Sequence, residues 1–409
     1  MRNKDRTKPK TWRKVKLGDI ANLFMQQVNP KNLGDIVVDH FSIPAFDAGR
    51  LPIRESASQI QSNKFVVPKG AVLLSKLNPR IPRVWKPIIQ KDIKALASTE
   101  FMVFVPKEDI DRDFLYYLFQ KRVFLATLAG QAGGTSTSHQ RAIPKAVLDS
   151  KVEIPTDINE QKRIANILSA FDEKIELNNK INQTLEEMAQ TIFKEWFIKF
   201  NFPVEFEVKS EKLKVKSLGY KDAGGKIVDS ELGKIPAGWK LKRLGEIVNI
   251  EYGRGPSTKE LKKSGYPVYG ANGIIGYHEK YNFEEPQIII GCRGVVGSLF
   301  KTLPKSSITH NSLVIKPAFS EKNYLFSLLK NSNLQSVVGG SAQPQITIKE
   351  LSQLPVLFAE DKLREKFEEI VENLEQKKLN ITYENQALAS LRDLLLPKLM
   401  SGEILVNSE

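Results

Sequence analysis

The chain has 409 residues, 61 Lys and Arg against 47 Asp and Glu, and a net charge of +14. That length accommodates two domains with cores of their own plus connecting helices, and the single cysteine, Cys292, excludes a disulfide framework or a cysteine metal site. No apolar run of about 18 residues occurs, the four histidines (His40, His139, His278, His310) lack ligand spacing, and the basic Met1–Lys16 stretch has no apolar segment. A membrane-bound, secreted or metal-dependent chain is therefore not expected, and the cytoplasm is the expected compartment.

In chain order, residues 1–155 read as a globular α/β domain, with β-rich runs at 35–43, 64–75 and 101–105 and a helix over 111–128 that has acidic residues in its first turn. Residues 156–200 predict a long helix capped by Thr156 or Asp157, with Glu160 in the first turn and an aromatic tail of Phe193, Trp196, Phe197 and Phe200 at helical spacing that suits a buried docking end. A polar, lysine-rich linker over 201–237 follows, with one short strand pair. Residues 238–356 predict a second globular domain of short strands and glycine turns, with a helix near 321–338. A second long helix over 357–402 ends at Pro397 or shortly beyond, with Gly402 past its end, and 403–409 is a tail.

The two long helices match. Residues recur every seven positions at Ile164, Phe171, Asn178, Leu185 and Ile192, and again 203 residues later at Phe367, Leu374, Ile381, Leu388 and Leu395. A second file (Ile167, Ile181, Met188; Ile370, Leu391) completes an a/d stripe. Ile164, Phe171, Leu185, Ile192, Phe367, Leu374, Leu388 and Leu395 are thus expected to pair the helices or bind a partner. The frame around them is duplicated too: Trp12–Ile20 returns as Trp239–Ile247, Phe114–Leu118 as Tyr324–Leu328, and Gly133-Gly134 as Gly339-Gly340, at offsets falling from 227 through 210 and 206 to 203. A duplication with longer loops in its first half follows. A chain of globule, helix, globule, helix brings both stripes together when the helices, each of about 60 Å, run antiparallel. The expected fold class is therefore α+β: two globular α/β domains separated by two long antiparallel helices forming a left-handed coiled coil, with an internal pseudo-twofold repeat. Lys174 and Lys377 interrupt the second file, either fixing register or lying on exposed faces.

The helices are acidic, −3 between them, so +17 sits on the rest of the chain. Such surfaces suit a polyanion, since neutralising phosphates releases counterions, although a generally lysine-rich surface gives the same balance. Lys76, Asn78, Arg80, Arg83 and Lys86, with Trp85, lie on a proline-stiffened stretch and offer phosphate and base-edge contacts. Arg254, Lys259, Tyr269, Asn272, Tyr277 and Arg293 stand beside glycines that permit close backbone approach or simply form turns. After each duplicated Gly-Gly come hydroxyl and amide residues: Thr137, Ser138 and Gln140 in one copy, followed by the cation Arg141, and Gln343 and Gln345 in the other. Amides can bond adenine bidentately. Catalytic machinery is not apparent. There is no Pro-Pro dipeptide for an adenine-methyltransferase loop, both Gly-Lys pairs (225–226, 233–234) are followed by isoleucine rather than a P-loop hydroxyl, and Glu207-Val208-Lys209 and Glu260-Leu261-Lys262 lack the Pro-Asp of a nuclease motif. No metal or cofactor is expected in this chain.

The ordered set Trp-x-x-x-x-Leu-Gly-Asp/Glu-Ile opening each half, Asp229–Pro236 before the second, Ile154-Pro155 with Glu160-Gln161, Tyr269–Tyr277, and Leu394–Ile404 at the end closely resembles the DNA-specificity subunit of type I restriction-modification enzymes over essentially the full length. The resemblance implies that the globular domains are target-recognition domains, each reading half of a split, asymmetric site on double-stranded DNA, and that the helices are ruler and docking surface for two modification (methyltransferase) subunits. It implies that those partners use S-adenosylmethionine, that restriction (translocase and nuclease) subunits use ATP and Mg²⁺, and that this chain supplies no catalytic residue. A departure is Glu360-Asp361 where the first copy has Glu160-Gln161. The competing readings are a single-chain DNA-modifying enzyme and a coiled-coil scaffold; the second predicts no salt-dependent DNA affinity.

Overall fold

The computed structural model describes residues 11–130, 133, 140–204, 218–231, 233–340 and 343–406. It divides into two compact units, 1–177 with 384–409, and 178–383. The division falls inside both long helices, Ile158–Phe193 and Asp361–Leu399, so each unit holds half of each.

In the first unit, Trp12–Lys16 pairs antiparallel with Lys151–Pro155, which delivers the chain into the first long helix. A four-stranded sheet runs in the order Ala21–Phe24, Phe101–Pro106, Val72–Ser75, Val84–Trp85. Its middle strands are apolar runs because both faces are covered. Val72, Leu74, Met102 and Phe104 point to a core under the helix Arg112–Gln120, while Leu73, Phe101, Val103 and Trp85 point to a second core shared with a five-stranded sheet. The helix expected over 111–128 is two, Arg112–Gln120 and Arg122–Gly130, because Lys121 adopts an extended ψ of 126° and turns the chain. Asp111 caps the first, accepting from the backbone N–H groups of Asp113 and Phe114.

The second unit repeats this frame in register. Lys240–Arg243 pairs with Pro355–Phe358, and a four-stranded sheet runs Val248–Tyr252, Ser312–Pro317, Ile288–Gly291, Leu299–Lys301. Phe101 stands opposite Ser75 in one unit as Ser312 does Gly291 in the other. Ile288 and Ile290 face the main core and Ile289 a smaller one with Tyr269, Ile308 and Val314, the same alternation as before. A three-stranded sheet replaces the five-stranded one, which is where the first copy carries its extra length. Between the frames, 203–204 pairs with 218–219 and Ile227–Ser230 with Gly233–Pro236. The helix expected near 321–338 is Lys322–Lys330, then a separate turn at Leu334–Val337.

Within each unit the start of one long helix lies beside the end of the other. In the first, Ile164, Ala165 and Leu168 share a core with Leu396, Leu399 and Met400, and Asp172 accepts from Tyr117 Oη (2.7 Å) and pairs with Arg392 (2.5 Å). In the second, Phe193 meets Phe367 edge-on at 5.8 Å, and Glu186 pairs with Lys330 (2.5 Å) and with Lys378. The heptad file from Ile164 to Ile192 and from Phe367 to Leu395 turns inward or is half-buried, Phe171, Leu374 and Leu388 among the latter. Of the second file only Ile167 packs against a core, whereas Ile181, Met188, Ile370 and Leu391 are 37%, 47%, 37% and 48% exposed. Leu168, Ile175, Asn178 and Ala189 take the inner positions on the first helix, and Arg364, Val371, Lys378 and Arg392 on the second. Charged groups are tolerated there because matched carboxylates meet them. Lys174 and Lys377 are exposed, Lys174 pairing with Glu384 at 3.5 Å.

The helix starts, Ile158 and Asp361, are 203 residues apart, so Gln161 corresponds to Arg364 rather than to Asp361. Both are buried and tie the helix to the strand before it: Gln161 Nε2 donates to the Pro155 carbonyl (3.1 Å), Arg364 to that of Ala359 (2.7 Å). Gln161 Oε1 accepts from Asp111 N, whereas Arg364 ion-pairs with Glu321 at 3.2 Å. The aromatic tail is a docking end as expected. The helix widens to a π-turn over Lys194–Ile198, and Phe193, Trp196 and Phe197 are buried against Trp239, Tyr324 and Phe367.

Candidate DNA interface

In each unit one end of the four-stranded sheet gathers three loops, and the same backbone bonds hold them. In the first unit Lys76, just past its strand, donates from N to the Glu100 carbonyl (2.9 Å), and its own carbonyl accepts from Ala142 N (2.8 Å). Gly133 and Arg141 exchange N–H to carbonyl bonds at 3.1 and 3.0 Å. In the second unit Cys292 N donates to the Asn311 carbonyl (2.8 Å), the Cys292 carbonyl accepts from Ile346 N (3.1 Å), and Gly339 exchanges with Gln345 at 2.8 and 2.9 Å. The first glycine of each duplicated pair thus makes the same two-bond bridge, and the loop 76–83 corresponds to 292–298.

Several candidates converge here. In the first unit, Asn78 takes a left-handed turn (φ 47°) and donates from N to the Gln140 carbonyl at 2.8 Å, zipping the cationic stretch to the segment after Gly-Gly. Arg80 is exposed and Lys76 half-buried, neither with an ion-pair partner among the described residues. Gln140 Oε1 is buried and unbonded. Ser138 and Thr137 lie outside the described residues. In the second unit, exposed Arg293 follows Cys292, and the turn carrying exposed Asn272 is anchored by Ser298 Oγ donating to the Ala271 carbonyl. The Arg254 loop lies against 308–312, with Gly253 N donating to Ser312 O (3.0 Å) and Gly255 N to Ile308 O (2.6 Å). Gly253 is required there, since a Cβ would stand 2.3 Å from the Thr309 carbonyl oxygen. Gln343 is exposed and Gln345 half-buried. Lys259 is exposed on the turn Thr258–Glu260, and Tyr277 is half-buried in a strand with its backbone bonded to Lys262.

Other candidates have partners within the chain. Trp85 is not on the loop surface: it is buried, edge-on to Phe41, Phe46 and Phe101. Tyr269 likewise turns inward, its hydroxyl accepting from Leu303 N (3.0 Å). Alternation along a strand decides both, and a lone aromatic does not reveal which face it takes. Arg83 makes a bidentate pair with Asp47 (2.7 and 2.8 Å) and holds that carboxyl below its ordinary value. Lys86 pairs with Asp113 at 3.1 Å and sits 5.5 Å over the Tyr116 ring. Arg141 is bidentate with Glu100. Sequence reasoning passed over Glu100 and Asn311; the available signal was that each immediately precedes a strongly apolar six-residue strand.

Among the described residues no group of His, Cys, Asp and Glu could hold a metal ion, and no helix is long and apolar enough to cross a membrane. What the site offers is exposed cations, amides and backbone edges on paired loops, which suits contact with a charged, hydrogen-bonding surface.

The model of the type I restriction modification DNA specificity domain matches residues 9–187 and 236–391, once over each half. The chain belongs to this family. Its role is DNA-sequence specificity in a type I restriction-modification system, and it is the targeting rather than the catalytic component. Among relatives of the specificity chain, the MjaIX specificity subunit of Methanocaldococcus jannaschii is 26% identical, covering 93% of this chain and 86% of its own. The HindI specificity subunit of Haemophilus influenzae is 24% identical, covering 96% and 99%. The crystal structure of a type I restriction-modification system S subunit from M. genitalium shares the fold with a TM-score of 0.56, at 18% identity over 100% of this chain and 99% of that one.

Proposed function

We propose that the specificity chain reads a bipartite, asymmetric target on double-stranded DNA, one half by each globular region, and directs adenine methylation or ATP-dependent cleavage by partner subunits. The observation that carries this reading is that one loop frame occurs twice with different side chains: Lys76, Leu77 and Asn78 stand where the second unit has Cys292, Arg293 and Gly294. Equal frames suit equal tasks, and unequal contents suit unequal base sequences. Lys76, Arg80, Arg254, Lys259 and Arg293 supply phosphate contacts; Asn78, Gln140, Asn272, Gln343 and Gln345 supply amides for base edges. Arg83, Lys86 and Arg141 act with their carboxylate partners in place. Ser138, Tyr269 and Tyr277 complete the set, with Tyr269 supporting its loop from beneath.

Two modification subunits dock on the long helices. Supporting this are apolar side chains that the helices leave exposed in each unit, Leu177, Leu391 and Leu394 in the first and Ile181, Met188 and Ile370 in the second. The modification subunits use S-adenosylmethionine, and restriction subunits use ATP and Mg²⁺. The complex works in the cytoplasm, where its DNA lies. The test is to map methylated adenines in cells carrying this chain with its modification partner. A split motif with a fixed unspecified gap is expected; methylation at a continuous motif, or by the chain without partners, would overturn the reading.

A further inference from the structure

The duplicated loop frame defines equivalent positions residue by residue. The strands Phe101–Pro106 and Ser312–Pro317 pair identically with their neighbours, so Glu100 and Asn311, each just ahead of its strand, are equivalent. Both offer a carbonyl to the first residue of the cationic loop, Lys76 or Cys292. Arg141 and Gln345 are equivalent too, each exchanging two backbone bonds with the first glycine of the Gly-Gly pair. The frame therefore sets two side chains next to the loop in each unit: a carboxylate with a guanidinium in one, two amides in the other.

The Glu100–Arg141 contact is of a kind that contributes little to stability, since the Arg141 side chain is 48% exposed and the Glu100 side chain 26%. What it does is fix a rotamer. Arg141 Nε and Nη2 bond the carboxylate at 3.1 and 2.9 Å, leaving the terminal Nη1/Nη2 edge of the fork with no partner among the described residues. A guanidinium held on one edge presents two parallel donors on the other without further ordering cost. Two parallel donors match the O6 and N7 acceptors of guanine, whereas Asn and Gln amides match the N6 donor and N7 acceptor of adenine. Asn311 is exposed, Gln345 is half-buried, and neither side chain has a hydrogen-bond partner among the described residues.

We infer that these equivalent pairs are specificity-determining: Arg141, locked by Glu100, reads a guanine in the half-site of the first unit, and Asn311 with Gln345 reads an adenine in that of the second. The inference rests on the split-target reading above and names which side chains set one base in each half. Glu100 is a positioning residue; Arg141, Asn311 and Gln345 touch the base.

The experiment uses the full chain with its modification subunits in cells and compares methylated-adenine motifs for wild type, Arg141→Gln, Arg141→Lys, Glu100→Gln and Gln345→Ala. Arg141→Gln is expected to lose or replace one guanine in one half, with discrimination at that position falling roughly tenfold to a hundredfold, the range of one good bidentate contact. Arg141→Lys, which keeps the charge but not the fork, and Glu100→Gln relax the same position. Gln345→Ala relaxes an adenine in the other half only. An unchanged motif in Arg141→Gln and Arg141→Lys, methylation falling equally with no base altered, or a wild-type half-site of the first unit without guanine would each overturn the inference. If thermal melts show Arg141→Gln to be unfolded, Arg141→Lys decides alone. Failure of the underlying reading looks different: wild type itself would then give no split motif.

Discussion

A single side chain's environment decides whether it supports the fold or is left open to solvent, and buried Trp85 and exposed Arg80 lie five residues apart on opposite sides of that line. Trp85→Ala empties a ring-lined core and is expected to cost about 3–5 kcal/mol in denaturant unfolding. Arg80→Ala should leave stability unchanged but weaken DNA binding to all sequences alike and reduce the salt slope by about one unit; titrations at several salt concentrations check it. Glu186 carries a pH dependence. Burial alone would raise its carboxyl, but hydrogen bonds and charge from Lys330 and Lys378 outweigh burial and hold it down to about 2, below its ordinary 4.5. Its stabilisation is therefore complete above pH 4.5 and is lost as pH falls from there towards 2. Glu186→Gln should remove about 1–3 kcal/mol at neutral pH and flatten that acid limb of the stability curve.

At the scale of elements, the paired helices are registered by charge as much as by apolar packing. Asp172 and Glu186 lie two heptads apart on one helix, and their partners Arg392 and Lys378 two heptads apart on the other. Inserting about one heptad between Asp172 and Glu186 alone lengthens one helix without the other. The expected outcome is loss or re-spacing of the methylated motif; efficient methylation of the original target would refute the ruler role. The exposed file gives an independent test: Met188→Asp or Leu391→Asp should reduce co-purification of modification subunits while leaving the melting temperature of the chain within a degree or so, since both side chains already face solvent. The heptads were legible because period seven survives in sequence. Which flank of the stripe turned inward was not, because Lys378 and Arg392 look like surface residues until their partners are seen.

For the whole molecule, two matching frames with different contents predict modular behaviour. Exchanging residues 12–155 for those of a relative should alter one half of the methylated motif and leave the other intact; change in both halves would contradict independent reading. Binding to DNA should fall steeply with salt, since the charge outside the acidic helices is +17.

The sequence by itself determined the duplication, the two long helices, the absence of familiar catalytic motifs and the family, because each is written in periodicity or in the order of short runs. Tertiary structure alone decided which polar residues share a loop cluster, that Arg83, Lys86 and Arg141 are held by carboxylates, that Trp85 and Tyr269 turn inward, and that Glu100 corresponds to Asn311 and Gln161 to Arg364. Those facts depend on strand register and side-chain facing, which join residues tens of positions apart, and local sequence carries no record of such pairings.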